Sequence, residues 1–142
     1  MKSPSWSHFL ESPADLSELP ALMDWVREQL SKLNSSSKSK MRLELVLEEA
    51  IVNVIHYAYP GSAGKLRIQC DYFPGGLISF VLEDEGIAFD PLSIQEPQTD
   101  MSLENRKEGG MGVFLIRKNI DEIFYERTPQ GNRLVLKKHM GD

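Results

Sequence analysis

The chain has 142 residues, 41% of them hydrophobic and 26% charged, which suits a single domain (1–142) with a core of its own. Its net charge of −5 excludes a general nucleic-acid binder, which needs a basic stripe to displace counterions. The lone Cys70 excludes an internal disulfide, and the lack of a membrane-spanning apolar run or a basic-start signal peptide leads us to expect a cytoplasmic protein.

Trp6 to Leu10 can form a short first strand. Ser12-Pro13-Ala14-Asp15 resembles a helix start, but Pro20 would break a helix begun there. A turn followed by a helix from about Pro20 to Leu33 fits better, with Leu22, Val26, Leu30 and Leu33 as its apolar stripe. Asn34 to Ser39 reads as a serine-rich loop.

A second helix is predicted from about Lys40 to Tyr59, stopping at Pro60-Gly61. At about 100° per residue, Leu43, Leu47, Ala50, Ile51, Val54 and Ala58 fall on one apolar band. Glu49, Asn53 and His56 share a narrow stripe beside it. Glu48 points about 100° away from Glu49, so the two glutamates cannot share one task.

Leu66, Ile68, Cys70 and Tyr72 alternate with polar residues, as in a half-exposed antiparallel strand, and the alternation makes Cys70 a buried structural thiol. Phe73 to Gly76 turns into a return strand, Leu77 to Glu83, with Ile78, Phe80 and Leu82 on one face. Asp84 continues that face, so it should point into the core, where an acid needs a specific donor. Pro91 to Glu108 is polar and aperiodic, of a length usual for functional loops. A helix from about Met111 to Asp121 should bury Phe114, Leu115 and Ile120. A last hairpin joins Ile123–Arg127 to Arg133–Lys137 through Thr128-Pro129-Gln130-Gly131.

Three clusters carry chemistry: Glu49-x-x-x-Asn53, Asp84-Glu85-Gly86, and Gly109-Gly110-Met111-Gly112. Each alone has an ordinary reading as a surface pair, a turn or a loop end. In this order, with Asp84 facing inward, they describe a site for ATP and Mg²⁺. An ionised Asp84 can accept from the adenine amino group, and Gly86 lets the chain turn close against the base. The glycines at 109, 110 and 112 expose backbone N–H groups at a helix start, a ready anion site. Asn53 offers an uncharged oxygen to Mg²⁺, and Glu49 can take a proton from an attacking hydroxyl. No P-loop pattern is present.

On these residues the chain resembles the ATP-binding fold shared by DNA gyrase, histidine kinases and MutL (the Bergerat fold). Within it, the chain is similar to the small anti-sigma-factor serine kinases of bacteria. Leu47-Glu48-Glu49-Ala50-Ile51-Val52-Asn53 matches their N box, which implies Glu49 as catalytic base and Asn53 as magnesium ligand. Asp84-Glu85-Gly86-Ile87-Ala88 resembles their first glycine box, with Asp84 the implied adenine-reading acid and Ala88 where a second glycine is usual. Gly109-Gly110-Met111-Gly112-Val113-Phe114-Leu115-Ile116 resembles the second glycine box. The resemblance thus implies nucleotide contacts at Asn53, Asp84, Gly86, Ala88, Gly109, Gly110, Met111 and Gly112. It makes about 91–111 the ATP lid, where Arg106 and Lys107 are candidates for touching the γ-phosphate or a partner. Tyr57 stands where many members have histidine, and their threonine after the final turn is replaced around Asn132.

The fold implied is α+β, a two-layer sandwich whose mixed, mostly antiparallel sheet is covered on one face by helices. The function implied is that of an ATP-dependent serine/threonine kinase acting as an anti-sigma factor. It would phosphorylate a serine on an anti-sigma-factor antagonist, sequester a sigma factor and form a homodimer. The alternative is a non-catalytic ATP-binding module that switches partner binding.

Overall fold

The computed structural model describes residues 3–91 and 110–140, and at 110–114 only the backbone. Gly109, most of the expected lid, and Arg106 and Lys107 within it lie outside the described residues. In chain order the elements are β1 (Trp6–Pro13), α1 (Leu19–Ser31), α2 (Ser37–Tyr57), β2 (Lys65–Phe73), β3 (Leu77–Asp84), α3 (Gly110–Asn119), β4 (Glu122–Arg127) and β5 (Asn132–His139).

The strands form one sheet in the order β1-β2-β3-β5-β4. All four pairings are antiparallel, so the sheet is more uniform than the expected mixed one. Hairpins join β2 to β3 and β4 to β5, and α3 lies on the connection that carries the chain beyond β5's place to β4. One face presents Leu66, Ile68, Cys70, Ile78, Phe80, Leu82, Leu134 and Leu136 to the helices, forming one core with their apolar sides. The opposite face carries a row in register across all five strands: Phe9, Gln69, Val81, Val135 and Phe124.

Local chemistry sets the helix boundaries. Asp15 caps a short 3-10 turn at Leu16–Glu18 by accepting from the Ser17 N–H, and α1 follows with Pro20 in its first turn, where a missing N–H costs nothing. Ser36 accepts from the Ser39 N–H at 3.1 Å, so α2 starts three residues before the predicted Lys40. The predicted apolar band of α2 is buried throughout. Near α3 the expected burial of Ile120 holds, while that of Leu115 needs correcting. Ile116 is fully buried and Ile120 nearly so, one turn apart on the same side, while Leu115 is only half-buried. The Phe114 side chain lies outside the described residues.

Leu47 sits at the centre of the band with no exposed surface. Leu47→Ala should lower unfolding stability by about 2–5 kcal/mol. The change will read as a lower urea midpoint with an unchanged denaturant slope.

Candidate functional site

Ala50, Asn53 and Val54 of α2, Asp84 at the end of β3, and Asn132 and Leu134 of β5 converge on one narrow cleft. Phe89, Pro91, Ile116 and Tyr125 complete its walls. The cleft therefore lies between the two layers, at the end of the sheet where β3 stops and β5 begins. Its apolar lining with three acid or amide groups, Asn53, Asp84 and Asn132, suits a flat heterocycle that needs a few fixed polar contacts.

Strand alternation carries Asp84 into the interior, where it is buried. Its Oδ1 accepts from the Gly86 N–H at 2.9 Å and from Asn132 Nδ2 at 2.8 Å. Both bonds fall on one oxygen, so neither uses Oδ2, which can accept from a ligand amino group. Burial pushes the Asp84 carboxyl above its ordinary value, and the bonds from Gly86 and Asn132 with the nearby Arg127 charge hold it partly back.

Asn132 organises this corner. Its Nδ2 also donates to the Ile87 carbonyl at 2.7 Å, and its Oδ1 accepts from the Tyr125 hydroxyl and the Phe89 N–H. Those partners fix which way the amide faces. Arg127 ties the same turn down by donating to the Gly86 carbonyl at 2.8 Å. Gly131 lets the last turn close over it: a Cβ there would stand 1.8 Å from the Asp84 carbonyl oxygen. Gly86 meets the C-terminal end of α2 as closely, 2.1 Å from the Ala58 carbonyl by the same measure. Ala58 accepts from the Ile87 N–H at 2.9 Å.

On α2, Asn53 is 3% exposed, and its Nδ2 has no hydrogen-bond partner among the described residues. A buried amide with unspent polar capacity is costly unless something else meets it. Half a rotation of that amide presents Oδ1 instead. It therefore fits the role of an oxygen ligand to Mg²⁺. Among the described residues no group of three or more His, Cys, Asp or Glu could hold a metal unaided. A magnesium ion beside Asn53 would take its remaining ligands from phosphate and water.

Glu49, one turn before Asn53, is half-buried and is not part of the cleft wall. Burial first, then the Glu48 charge, raises its carboxyl above the ordinary range. Glu48 also acts on Arg27 of α1, which bonds Glu44 at 2.6 Å, so it lies on the flank toward α1. That matches the division between the two glutamates expected from helix geometry. Among the other expected contacts, Gly86 is half-buried in the turn, and Ala88 is exposed and does not line the cleft. Gly110, Met111 and Gly112 form the first turn of α3, as a phosphate-binding helix start requires. Sequence reasoning passed over Phe89, Tyr125 and Arg127. Tyr57 stacks on Phe89 with ring centroids 4.5 Å apart, which makes use of the aromatic residue found where histidine was expected.

A family model described as the histidine kinase-like ATPase domain matches residues 12–138. A serine/threonine-protein kinase of Bordetella bronchiseptica, BtrW, is 26% identical over 116 residues, covering 81% of each chain. The anti-sigma F factor of Priestia megaterium is 26% identical over 113 residues, covering 78% of this chain and 77% of its own. Among solved structures, the RsbU and RsbW domains of Rv1364c from Mycobacterium tuberculosis align with a TM-score of 0.68 at 13% identity. That match covers 98% of this chain but only 34% of the longer protein, and at such identity it speaks for the fold alone.

Asp84 carries a pH signature. Its carboxyl is raised in the folded state, so the native protein holds a proton that the unfolded chain has released, and stability falls as pH rises from the ordinary carboxylate range through the raised value. Asp84→Asn keeps an accepting Oδ1 and removes that titration. The melting temperature of the variant minus that of the wild type should grow with pH across this window and level off above it; an unchanging difference would contradict the assignment.

Proposed function

Because the chain belongs to the family of histidine kinase-like ATPase domains, we propose that it is an ATP-dependent serine/threonine kinase of the anti-sigma-factor type. The observation that carries this reading is the meeting of Asp84 and Asn53 in one cleft beside Glu49. The likeness to BtrW and to the anti-sigma F factor supports the same class of activity and suggests its partners, a small antagonist bearing the acceptor serine and a sigma factor.

In this reading Asp84 Oδ2 accepts from the adenine amino group while Asn132 and Gly86 hold the carboxylate in place. Asn53 would hold Mg²⁺, which supplies charge neutralisation for the phosphates. Gly110 and Gly112, with Gly109 before them, offer backbone N–H groups to phosphate, and the segment from about 91 to 111 serves as lid. Glu49 takes the proton of the acceptor serine hydroxyl as its oxygen bonds the γ-phosphorus and the bond to the ADP oxygen breaks. A raised carboxyl suits that task, because a base close to working pH holds the transferred proton better. Most of the acceleration then comes from positioning.

A second reading, an ATP-binding switch without transfer, is favoured by one observation: Glu49 stands outside the cleft wall. A cytoplasmic location is supported by the buried, unpaired Cys70 and by the lack of a membrane-spanning helix among the described residues.

The sheet face that no described element covers supports a homodimer. Phe9 and Phe124, 61% and 44% exposed, flank the buried Val81 and Val135 in one register row. The next row reads Glu11, Arg67, Glu83, Arg133, Glu126. Reversed and shifted by one strand, this alternation sets the four overlapping positions acid against base and leaves one terminal acid of each copy outside, so the face is complementary to a second copy of itself.

With labelled ATP and the antagonist, the wild type should transfer label to serine and Glu49→Gln should not, while both keep the rise in melting temperature given by Mg-ATP. Absence of wild-type transfer with that rise intact would establish the switch instead. The acid limb of the transfer rate should lie above the ordinary carboxylate range and move down in Glu48→Gln, which removes a charge that raises Glu49.

By sedimentation the wild type should run as a dimer and the double variant Phe9→Glu, Phe124→Glu as a folded monomer. A dimeric double variant would remove the sheet face from the interface.

A further inference from the structure

Tyr59 is the first residue beyond the C-cap of α2, and it is buried. Its hydroxyl donates to the Lys65 carbonyl at the start of β2, at 2.7 Å. The same oxygen accepts from the Glu85 N–H, also at 2.7 Å. One hydroxyl thus joins the end of the helix that carries Glu49 and Asn53 to the turn that carries Asp84. Both partners are backbone groups, so the distances fix main chain and not merely side chains.

The ring is seated as firmly as the hydroxyl. A Cβ on Gly64 would come within 2.1 Å of it, so the glycine leaves the space the ring occupies. Burial pushes the Tyr59 phenol up, which keeps it a neutral donor at ordinary pH. The Glu85 amide it holds lies between Asp84 and Gly86, the two ends of the turn closed by the Gly86 N–H to Asp84 Oδ1 bond. Shifting that amide would rotate the plane of the Asp84 carboxylate.

We propose that Tyr59 is a positioning residue for nucleotide binding, its hydroxyl setting the orientation of the Asp84 carboxylate relative to Asn53 on α2. This rests on the nucleotide reading above and adds to it how the base-reading end is registered against the phosphate end. The hydroxyl touches the acid side of that register, so its loss weakens recognition of the base and leaves phosphoryl transfer from bound nucleotide unchanged.

Tyr59→Phe removes the oxygen and keeps the ring; Gly64→Ala keeps the oxygen and displaces the ring. Mg-ATP and Mg-GTP affinities are measured by calorimetry on both variants and on the wild type, with KM and kcat for label transfer to the antagonist. Each variant should weaken Mg-ATP binding about tenfold, the loss expected from one buried hydrogen bond left unmade. KM for ATP should rise in parallel with kcat within about twofold, and the preference for ATP over GTP should shrink. The double variant should lose little more than either single one, because both act on one contact. A merely structural tyrosine would lower the melting temperature of either variant with nucleotide affinity and base preference intact, and that result overturns the proposal. A wild type that binds no nucleotide overturns the functional reading itself, and Tyr59's role with it.

Discussion

A carboxylate held inside a protein must be met by donors, and Asp84 imposes that requirement on the whole end of the sheet where β3 stops. Asn132 comes from the neighbouring strand and shares its amide between Asp84 and the Ile87 carbonyl. Gly86 supplies a backbone donor, and Arg127 brings a positive charge while bonding the Gly86 carbonyl. Gly131 permits the close approach of the final turn to the Asp84 carbonyl. A larger residue at Gly131 or loss of the amide at Asn132 would leave the acid buried and under-satisfied, which is costly.

α2 answers this from the other layer. Its apolar band anchors it to the sheet, and the stripe beside that band carries Glu49 and Asn53 without disturbing the core. Where the helix ends, Ala58 and Tyr59 bond the turn that follows Asp84. The two halves of the site are therefore joined at their backbones. The dihedral freedom that a loop would have allowed is removed before any ligand arrives, which lowers the ordering cost of binding.

Much of this was legible in the residue pattern because two periodicities were strong. The band of α2 follows a helical repeat, and the alternation through Ile78, Phe80 and Leu82 aims Asp84 inward without reference to any other strand. What the pattern could not supply depends on which strands become neighbours. Asn132 gains its role only when β5 lies beside β3, and a lone asparagine after a turn carries no mark of that pairing. The register row through Phe9, Val81 and Phe124 is invisible for the same reason. The start of α2 was misplaced by a different cause: several serines stood near the boundary, and only geometry selects Ser36 as the cap. Tyr59 escaped notice because a tyrosine after a helix is ordinary until two backbone groups converge on its oxygen.

The strand order has a consequence for how the site comes into being during synthesis. β5 inserts between β3 and β4, and it brings Asn132 and Leu134 to a cleft whose other walls come largely from earlier elements. A nascent chain with α2 and β3 already outside the ribosome still holds Asp84 without its amide partner. Because β5 follows β4 in sequence yet sits inside it in the sheet, the cleft closes only when the β4–β5 hairpin has been translated and docks. The acid at the end of β3 therefore has its amide partner, and the cleft its full wall, only once β5 has docked between β3 and β4.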